Sequence, residues 1–235
     1  PLGAPVDVHA FLNSRLEFLK QLYRTSTAPH VERKHLIETG QPPYAPPYSE
    51  DDEPPFLSEW LEADQSLRVL GQMFISALAA SLQLYFKESL FNMRRRVRHQ
   101  KMIGIRPIDE YKKVFKEQGW LGGYKAYFKE QFEIDFGRSG CDLNILEGLV
   151  LARNRAQHPD TITSLDVRHS EHDLKKTPNP FFVDQREIEA MGDEQFPSFF
   201  HEPTVTAKPE HIEAAISEAE RFCAWLENSI WEWSA

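Results

Sequence analysis

Residues 69–86, VLGQMFISALAASLQLYF, form a run of 18 positions without a charged side chain. Such a run reaches the lower length limit for a membrane-spanning helix. However, it contains Gln72, Ser76, Ser81 and Gln83, and it continues on both sides into charged sequence with helical spacing. We therefore expect a buried central helix, or a helix at a dimer interface, and no membrane insertion. The rest of the chain has to pack around this helix.

Apolar residues recur at helical spacing in several other segments, which predicts an all-α fold. The long central segment is either one helix or two that kink near Gly71. The sequence GWLGG predicts a turn between two shorter helices, and Pro209 suits the first position of the last helix. The predicted helices cover about residues 6–24, 56–101, 108–118, 124–132, 143–158 and 209–233.

Two segments lack helical periodicity. Residues 41–55 contain six prolines and an acidic run, which predicts an extended, polyproline-like loop. It is either a solvent-exposed connector or a segment that docks in an aromatic groove. Residues 160–208 predict a mostly irregular insertion, with FFV and TVTA as candidate short strands. We therefore expect a single domain over residues 1–235, an up-and-down helical bundle with a long insertion before the C-terminal helix.

Charge limits the way in which this chain can meet a polyanion. The net charge is −9, so any contact with nucleic acid has to come from local basic patches. The densest patch is RRRVRHQK at the end of the long predicted helix. It is either a phosphate-binding patch or a solvated face with cations near a helix C-terminus. Its cations are Arg94, Arg95, Arg96, Arg98 and Lys101.

Cysteine and histidine usage gives no strong sign of a metal centre. Cys141 and Cys223 fit neither a disulfide framework nor a metal-ligand spacing, and with no signal peptide in view they indicate a reducing cytoplasm. In DVRHSEHD, residues 166–173, His169 and His172 lie beside Asp166 and Asp173, as zinc ligands can. Such a pair in a polar segment is also ordinary loop chemistry, and we expect no metal and no cofactor.

The segment LNILEGLVLARNRAQHPD, residues 143–160, combines an apolar helix with a polar end. On a helical wheel with Leu146 at zero, Leu149 falls at about −60°, Val150 at about 40° and Arg153 at about −20°. Arg153 therefore emerges from the apolar stripe, whereas Arg155, at about 180°, is expected to face solvent. Asp142 is the expected N-cap of this helix.

Asn154 and His158 lie four residues apart on the flank of the apolar stripe, and Pro159 ends the helix directly after them. An arginine fork beside a titratable imidazole fits metal-free RNA cleavage, in which histidine moves protons and arginine neutralises the phosphate. One histidine cannot easily perform both proton transfers, so two copies facing each other are expected. Alternatively, Arg153 pairs with Asp135 or Glu147, Asn154 caps or bridges helices, and His158 caps the helix end.

The sequence LEGLVLARNRAQH resembles the signature of the HEPN superfamily, with Arg153, Asn154 and His158 at the motif positions. The similarity covers about residues 124–160 and, more weakly, 203–230. It implies a helical bundle that is usually dimeric and often a metal-independent endoribonuclease of toxin–antitoxin, phage-defence or CRISPR-linked systems. In some members an antitoxin partner adenylylates a tyrosine two residues after the histidine, but Asp160 occupies that position here.

The resemblance predicts a cytoplasmic, homodimeric endoribonuclease whose shared cleft cuts RNA and leaves a 2′,3′-cyclic phosphate. In this hypothesis His158 acts as general acid and base, Arg153 stabilises the transition state and Asn154 orients them, with an antitoxin or defence protein as an expected partner. The alternative is a non-catalytic interaction or assembly module of a defence complex. Such a module would hold a partner through residues 41–55 or 160–208.

Overall fold

The protein is described from a computed structural model that covers residues 7–45, 54–96, 104–159, 161, 164–191 and 202–234. Within these residues the fold is all-α, as predicted, and contains no β-strand apart from one antiparallel bridge between Arg168 and Thr204. The α-helices are α1 (Val8–Glu38), α2 (Leu57–Arg96), α3 (Lys112–Phe132), α4 (Leu143–Gln157), α5 (Glu171–Lys176), α6 (Gln185–Met191) and α7 (Pro209–Ser234).

Helix α1 extends fourteen residues beyond the predicted end at residue 24 and passes through Pro29. Its second half is held against the start of α2 by polar contacts that helical periodicity does not reveal. Arg33 pairs with Glu62, and Lys34 pairs with Asp64. Because Arg15 bonds to Ser81 at the other end of the pair, α1 and α2 run antiparallel.

Helix α2 is one helix without a kink at Gly71, and it supplies much of the core through the predicted apolar run. Gly71 is small for another reason, because a Cβ there would lie 2.7 Å from the Ala207 Cβ. By length and composition alone, Leu57–Met93 passes as a candidate membrane span, and half of its most apolar 18-residue window is buried. The window has a mean hydropathy of 1.5.

Helix α3 includes the GWLGG segment, where a turn was expected. The turn is confined to Gly119, whose φ of 83° interrupts an otherwise helical run. The helix restarts at Trp120, and Glu147 of α4 accepts hydrogen bonds from the Trp120 and Leu121 amides at 3.2 and 2.7 Å. A carboxylate from another helix thus satisfies the first donors after the kink.

The described residues 164–191 and 202–208 of the insertion include the short helices α5 and α6 and contribute buried apolar side chains, and the rest of their backbone is mostly irregular. Val205 N donates to Val167 O at 2.7 Å, and His169 N donates to Pro203 O at 2.9 Å. Thr206 N donates to Phe182 O, so the FFV and TVTA segments do meet, but as a single contact and not as strands. Proline-rich residues 46–53 lie outside the described residues.

The close approach at Gly71 is testable by substitution. We expect Gly71→Ala to destabilise the protein by about 1–3 kcal/mol, because the added methyl group overpacks against Ala207. Gly148→Ala is the matched control, since its Cβ would lie 3.5 Å from Phe181 Cβ, an ordinary contact. There the gain in helix propensity is expected to leave stability unchanged or raise it by up to about 1 kcal/mol. Urea unfolding of both variants measures the difference, and equal midpoints would contradict it.

The contact of Glu147 with the α3 kink gives a second prediction. Glu147→Ala leaves two amide donors without their acceptor, so we expect a loss of about 1–3 kcal/mol in unfolding free energy. Glu117 of α3 is an exposed carboxylate and provides the control. We expect the unfolding free energy of Glu117→Ala to stay within about 0.5 kcal/mol of wild type. Thermal or urea unfolding measures the stability of both variants, and a wild-type midpoint for Glu147→Ala would refute the capping role.

Candidate active site

The candidate site lies at the C-terminal end of α4, a helix whose bounds follow from its sequence. Asp142 is the N-cap, as predicted, and its side chain accepts from Asn144 N at 2.9 Å. The helix ends at Gln157, and His158 is the C-cap residue immediately before Pro159. The apolar stripe of the helix is buried, with Leu146 fully inaccessible to solvent. The polar residues at its end are therefore held by a rigid part of the core.

Arg153 continues the buried stripe and is itself half-buried. One terminal nitrogen, Nη1, donates to Asn154 Oδ1 at 2.9 Å, so the two motif residues are joined directly. The Nε of Arg153 is buried and finds no acceptor among the described residues. A buried guanidinium donor without a partner is costly, and an anion that approaches this end of α4 would satisfy it.

The alternative partners for Arg153 are engaged elsewhere. Asp135 accepts from Lys129 and from the Gly137 amide, and Glu147 accepts from two amides of α3. The Gly137 amide and then Lys129 hold the pKa of Asp135 below its usual value. Among the described residues, Arg153 is hydrogen-bonded to Asn154 and to neither of these carboxylates.

His158 is exposed, and its backbone amide donates to the carbonyls of Asn154 and Arg155. It caps the helix with its backbone, as the alternative interpretation expected. Because the residue is exposed, its imidazole is open to a ligand. The motif thus presents a half-buried guanidinium, an exposed amide and an exposed imidazole on one helix end.

The expectation that Arg155 faces solvent was wrong. Its Nε donates to Asp173 Oδ2 at 2.7 Å, and the two side chains are only 23% and 14% exposed. The wheel angle was correct, but α5 of the insertion covers that side of α4. The sequence contains one sign of this arrangement, because Ser170 and Asp173 have the spacing of a capping box, which the structure forms.

The four residues considered as zinc ligands are not grouped. Asp166 pairs with Arg68, Asp173 pairs with Arg155, His172 is exposed, and His169 is buried with its Nε2 3.2 Å from Phe182 O. Within the described ranges, no three His, Cys, Asp or Glu side chains are grouped to hold a metal ion. Both cysteines are free thiols, and Cys223 is buried.

The basic run is only partly within the described residues. Arg94, Arg95 and Arg96 form the end of α2, whereas Arg98 and Lys101 lie outside the described residues. Contacts of the insertion link the end of α4 to the Gly71 region of α2, through Asp173, Phe182 and Ala207. At 1.5 Å per residue, the backbone of Arg94 is about 35 Å further along α2. The described part of the basic run, the backbone of Arg94–Arg96, therefore lies far from the end of α4 within one chain.

A pocket of about 250 Å³ opens between α2 and the insertion, and it is separate from the motif residues. Asp64, Arg68 and Asp166 form ion pairs in its wall. The charge of Arg68 is thus compensated by the carboxylates beside it in the wall. The remaining lining residues are Leu61, Gln65, Ser164 and Leu165.

Comparison with family models, with curated proteins and with solved structures finds no match for this chain.

Proposed function

We propose that this protein is a metal-independent endoribonuclease of the HEPN type, in which two copies of the chain share an active-site cleft. The observation that carries the proposal is the buried Nε donor of Arg153, which lacks an acceptor among the described residues and lies in the same helix end as an exposed histidine. A phosphate oxygen that bonds to the Arg153 guanidinium would bring the scissile group to the helix end that His158 terminates.

In the proposed reaction the ribose 2′-oxygen attacks the adjacent phosphorus and the bond from phosphorus to the 5′-oxygen breaks. His158 of one copy accepts the 2′-hydroxyl proton, and the partner's His158 donates a proton to the leaving 5′-oxygen. Arg153 neutralises the charge that grows on the phosphate oxygens, and its bond to Asn154 fixes the guanidinium plane. The products are a 2′,3′-cyclic phosphate and a 5′-hydroxyl.

The direct test incubates the purified protein with RNA in excess chelator. We expect cleavage to survive chelation and to fall by roughly a hundredfold or more in His158→Ala and in Arg153→Ala. His172→Ala and Arg186→Ala are matched controls, because both residues are exposed and lie outside the motif. Cleavage that persists in the motif variants, or that requires a divalent metal, would refute the proposal.

A non-catalytic assembly module is the second candidate, and an exposed apolar face on α1 and α2 favours it. Arg15 Nε bonds to Ser81 Oγ across the seam between the helices at 2.7 Å. One turn away from these residues lie Phe11, Phe18 and Leu84, which are 69%, 62% and 43% exposed. Further along the same face of α2 lie Met73 and Phe91, both 61% exposed.

Exposed apolar faces of a few hundred Å² mark interaction sites, and a stable dimer buries about 800 Å² per partner. The exposed apolar area of these five large side chains along one seam approaches that size. We therefore take a second copy of this chain as the occupant of the α1–α2 face. This dimer is an alternative to the dimer with a shared cleft, because none of the motif residues belongs to the α1–α2 face.

The α1–α2 face predicts that Phe18→Glu lowers the mass of the protein in size-exclusion chromatography with light scattering at micromolar concentration. The added charge would be buried without a partner in the assembled state. Val31→Glu is the control, since Val31 is 47% exposed on the same helix but lies about 140° around it from Phe18. A monomeric wild type, or a Phe18→Glu variant of unchanged mass, would exclude this face as the interface.

A further inference from the structure

The last turn of α4 is tied to the insertion by the contact of Arg155 with Asp173. Arg155 lies between the motif residues Asn154 and His158, and its Nε reaches Asp173 of α5 at 2.7 Å. Both side chains are mostly shielded from water, so the contact is screened less than the exposed pairs of this protein. A charge-assisted hydrogen bond in this position restrains the turn that carries the candidate site.

Asp173 is itself held in place by the start of α5. It is the third residue of the helix, and its Oδ2 also accepts from Ser170 Oγ at 2.7 Å, while Ser170 Oγ accepts from Asp173 N at 3.1 Å. Burial raises the pKa of the Asp173 carboxyl, but the bonds from Arg155 and Ser170 outweigh burial and hold that pKa below its usual value. Asp173 is therefore a charged and oriented acceptor for Arg155.

His169 directly precedes this capping box and is 1% exposed. Its Nε2 lies 3.2 Å from Phe182 O, and its Nδ1 has no partner among the described residues. Since a carbonyl can only accept, Nε2 carries the proton and Nδ1 is bare. Protonating Nδ1 would place a charge and an unpaired donor in the core of the insertion.

The charged groups around His169 come from three elements. Burial is the largest influence and holds the pKa of His169 below its usual value. Asp173 of α5 and Glu187 of α6 act to raise the pKa, and Arg155 of α4 acts to lower it. The neutral ring therefore stabilises the folded insertion above the ordinary histidine pKa of about 6.5, and this stability is lost as the pH falls below that value toward the lower folded pKa.

We propose that Arg155 and Asp173 form a clamp that positions the Arg153–His158 turn, and that acid opens the clamp through the buried imidazole of His169. Its catalytic consequence rests on the proposed ribonuclease function. The clamp concerns only the conformation of the protein, so its effect on α4 can be measured without RNA.

The test is amide hydrogen exchange of the RNA-free protein, expressed as protection factors at pH 7.5 and pH 5.5. At pH 7.5, Asp173→Asn and Arg155→Gln are each expected to lower the protection of the last turn of α4 by roughly tenfold. Arg155→Gln leaves α5 intact and so remains informative where Asp173→Asn disturbs the insertion. Glu213→Gln, which removes an exposed ion pair with Arg24, is the control and should leave that turn unchanged.

At pH 5.5 the wild type is expected to lose protection in residues 164–183 and in the last turn of α4 before the rest of the bundle. His169→Gln can still donate to Phe182 O but cannot titrate, so it should remove this acid step. Unchanged protection of α4 in both Asp173→Asn and Arg155→Gln would overturn the clamp. An acid step that persists in His169→Gln, or a wild type without one, would overturn the role of His169.

Activity measurements separate the clamp from the function on which its consequence rests. If the protein cleaves RNA, Asp173→Asn should lower kcat more than it raises KM, and Asp173→Glu should restore part of the rate. If RNA is not cleaved but the exchange results hold, the proposed function fails and the clamp stands. If RNA is cleaved and neither clamp variant alters kcat, Arg155 and Asp173 do not position the site.

Discussion

The packing around Phe86 is the constraint on which the rest of the structure depends. This ring of α2 is inaccessible to solvent and lies against aromatic side chains of α3, of the turn at residues 136–138 and of α7. The stacked contact with Phe222 has a centroid distance of 5.9 Å. The other rings in contact with it are Tyr85, Trp120, Tyr124, Phe128 and Phe136. The absence of charged side chains from residues 69–86 of α2 is required because the surroundings of this run are apolar.

Helix α4 depends on the same core and transfers its rigidity to the candidate site. Leu146 and Leu149 are buried, and Glu147 caps the restarted half of α3, so the helix is held by both apolar and polar contacts. The end of such a helix can hold a guanidinium in a fixed position, which a loop does less well. The polar ending of α4 is therefore supported by the core behind it and by the insertion beside it.

Those parts of the fold and site that depend on local sequence were predictable. Asp142 and Pro159 mark the ends of α4, and the helical wheel correctly placed Arg153 on the buried stripe. Contacts between distant residues were not predictable in this way. The extension of α1 depends on its contacts with α2, and the order of the insertion depends on pairs such as Val167 with Val205. Arg155 was misassigned for the same reason, since its partner Asp173 belongs to the insertion.

We propose that Arg153, Asn154 and His158 bind an RNA phosphate at the end of α4. The most direct measurement of this binding is an NMR titration with an RNA that carries 2′-O-methyl groups and therefore cannot be cleaved. We expect the His158 ring and Arg153 Nε–H resonances to shift together with saturation, and Arg153→Ala to abolish the His158 shift. Binding that leaves both resonances unchanged, or a His158 shift that persists in Arg153→Ala, would refute phosphate binding by these residues.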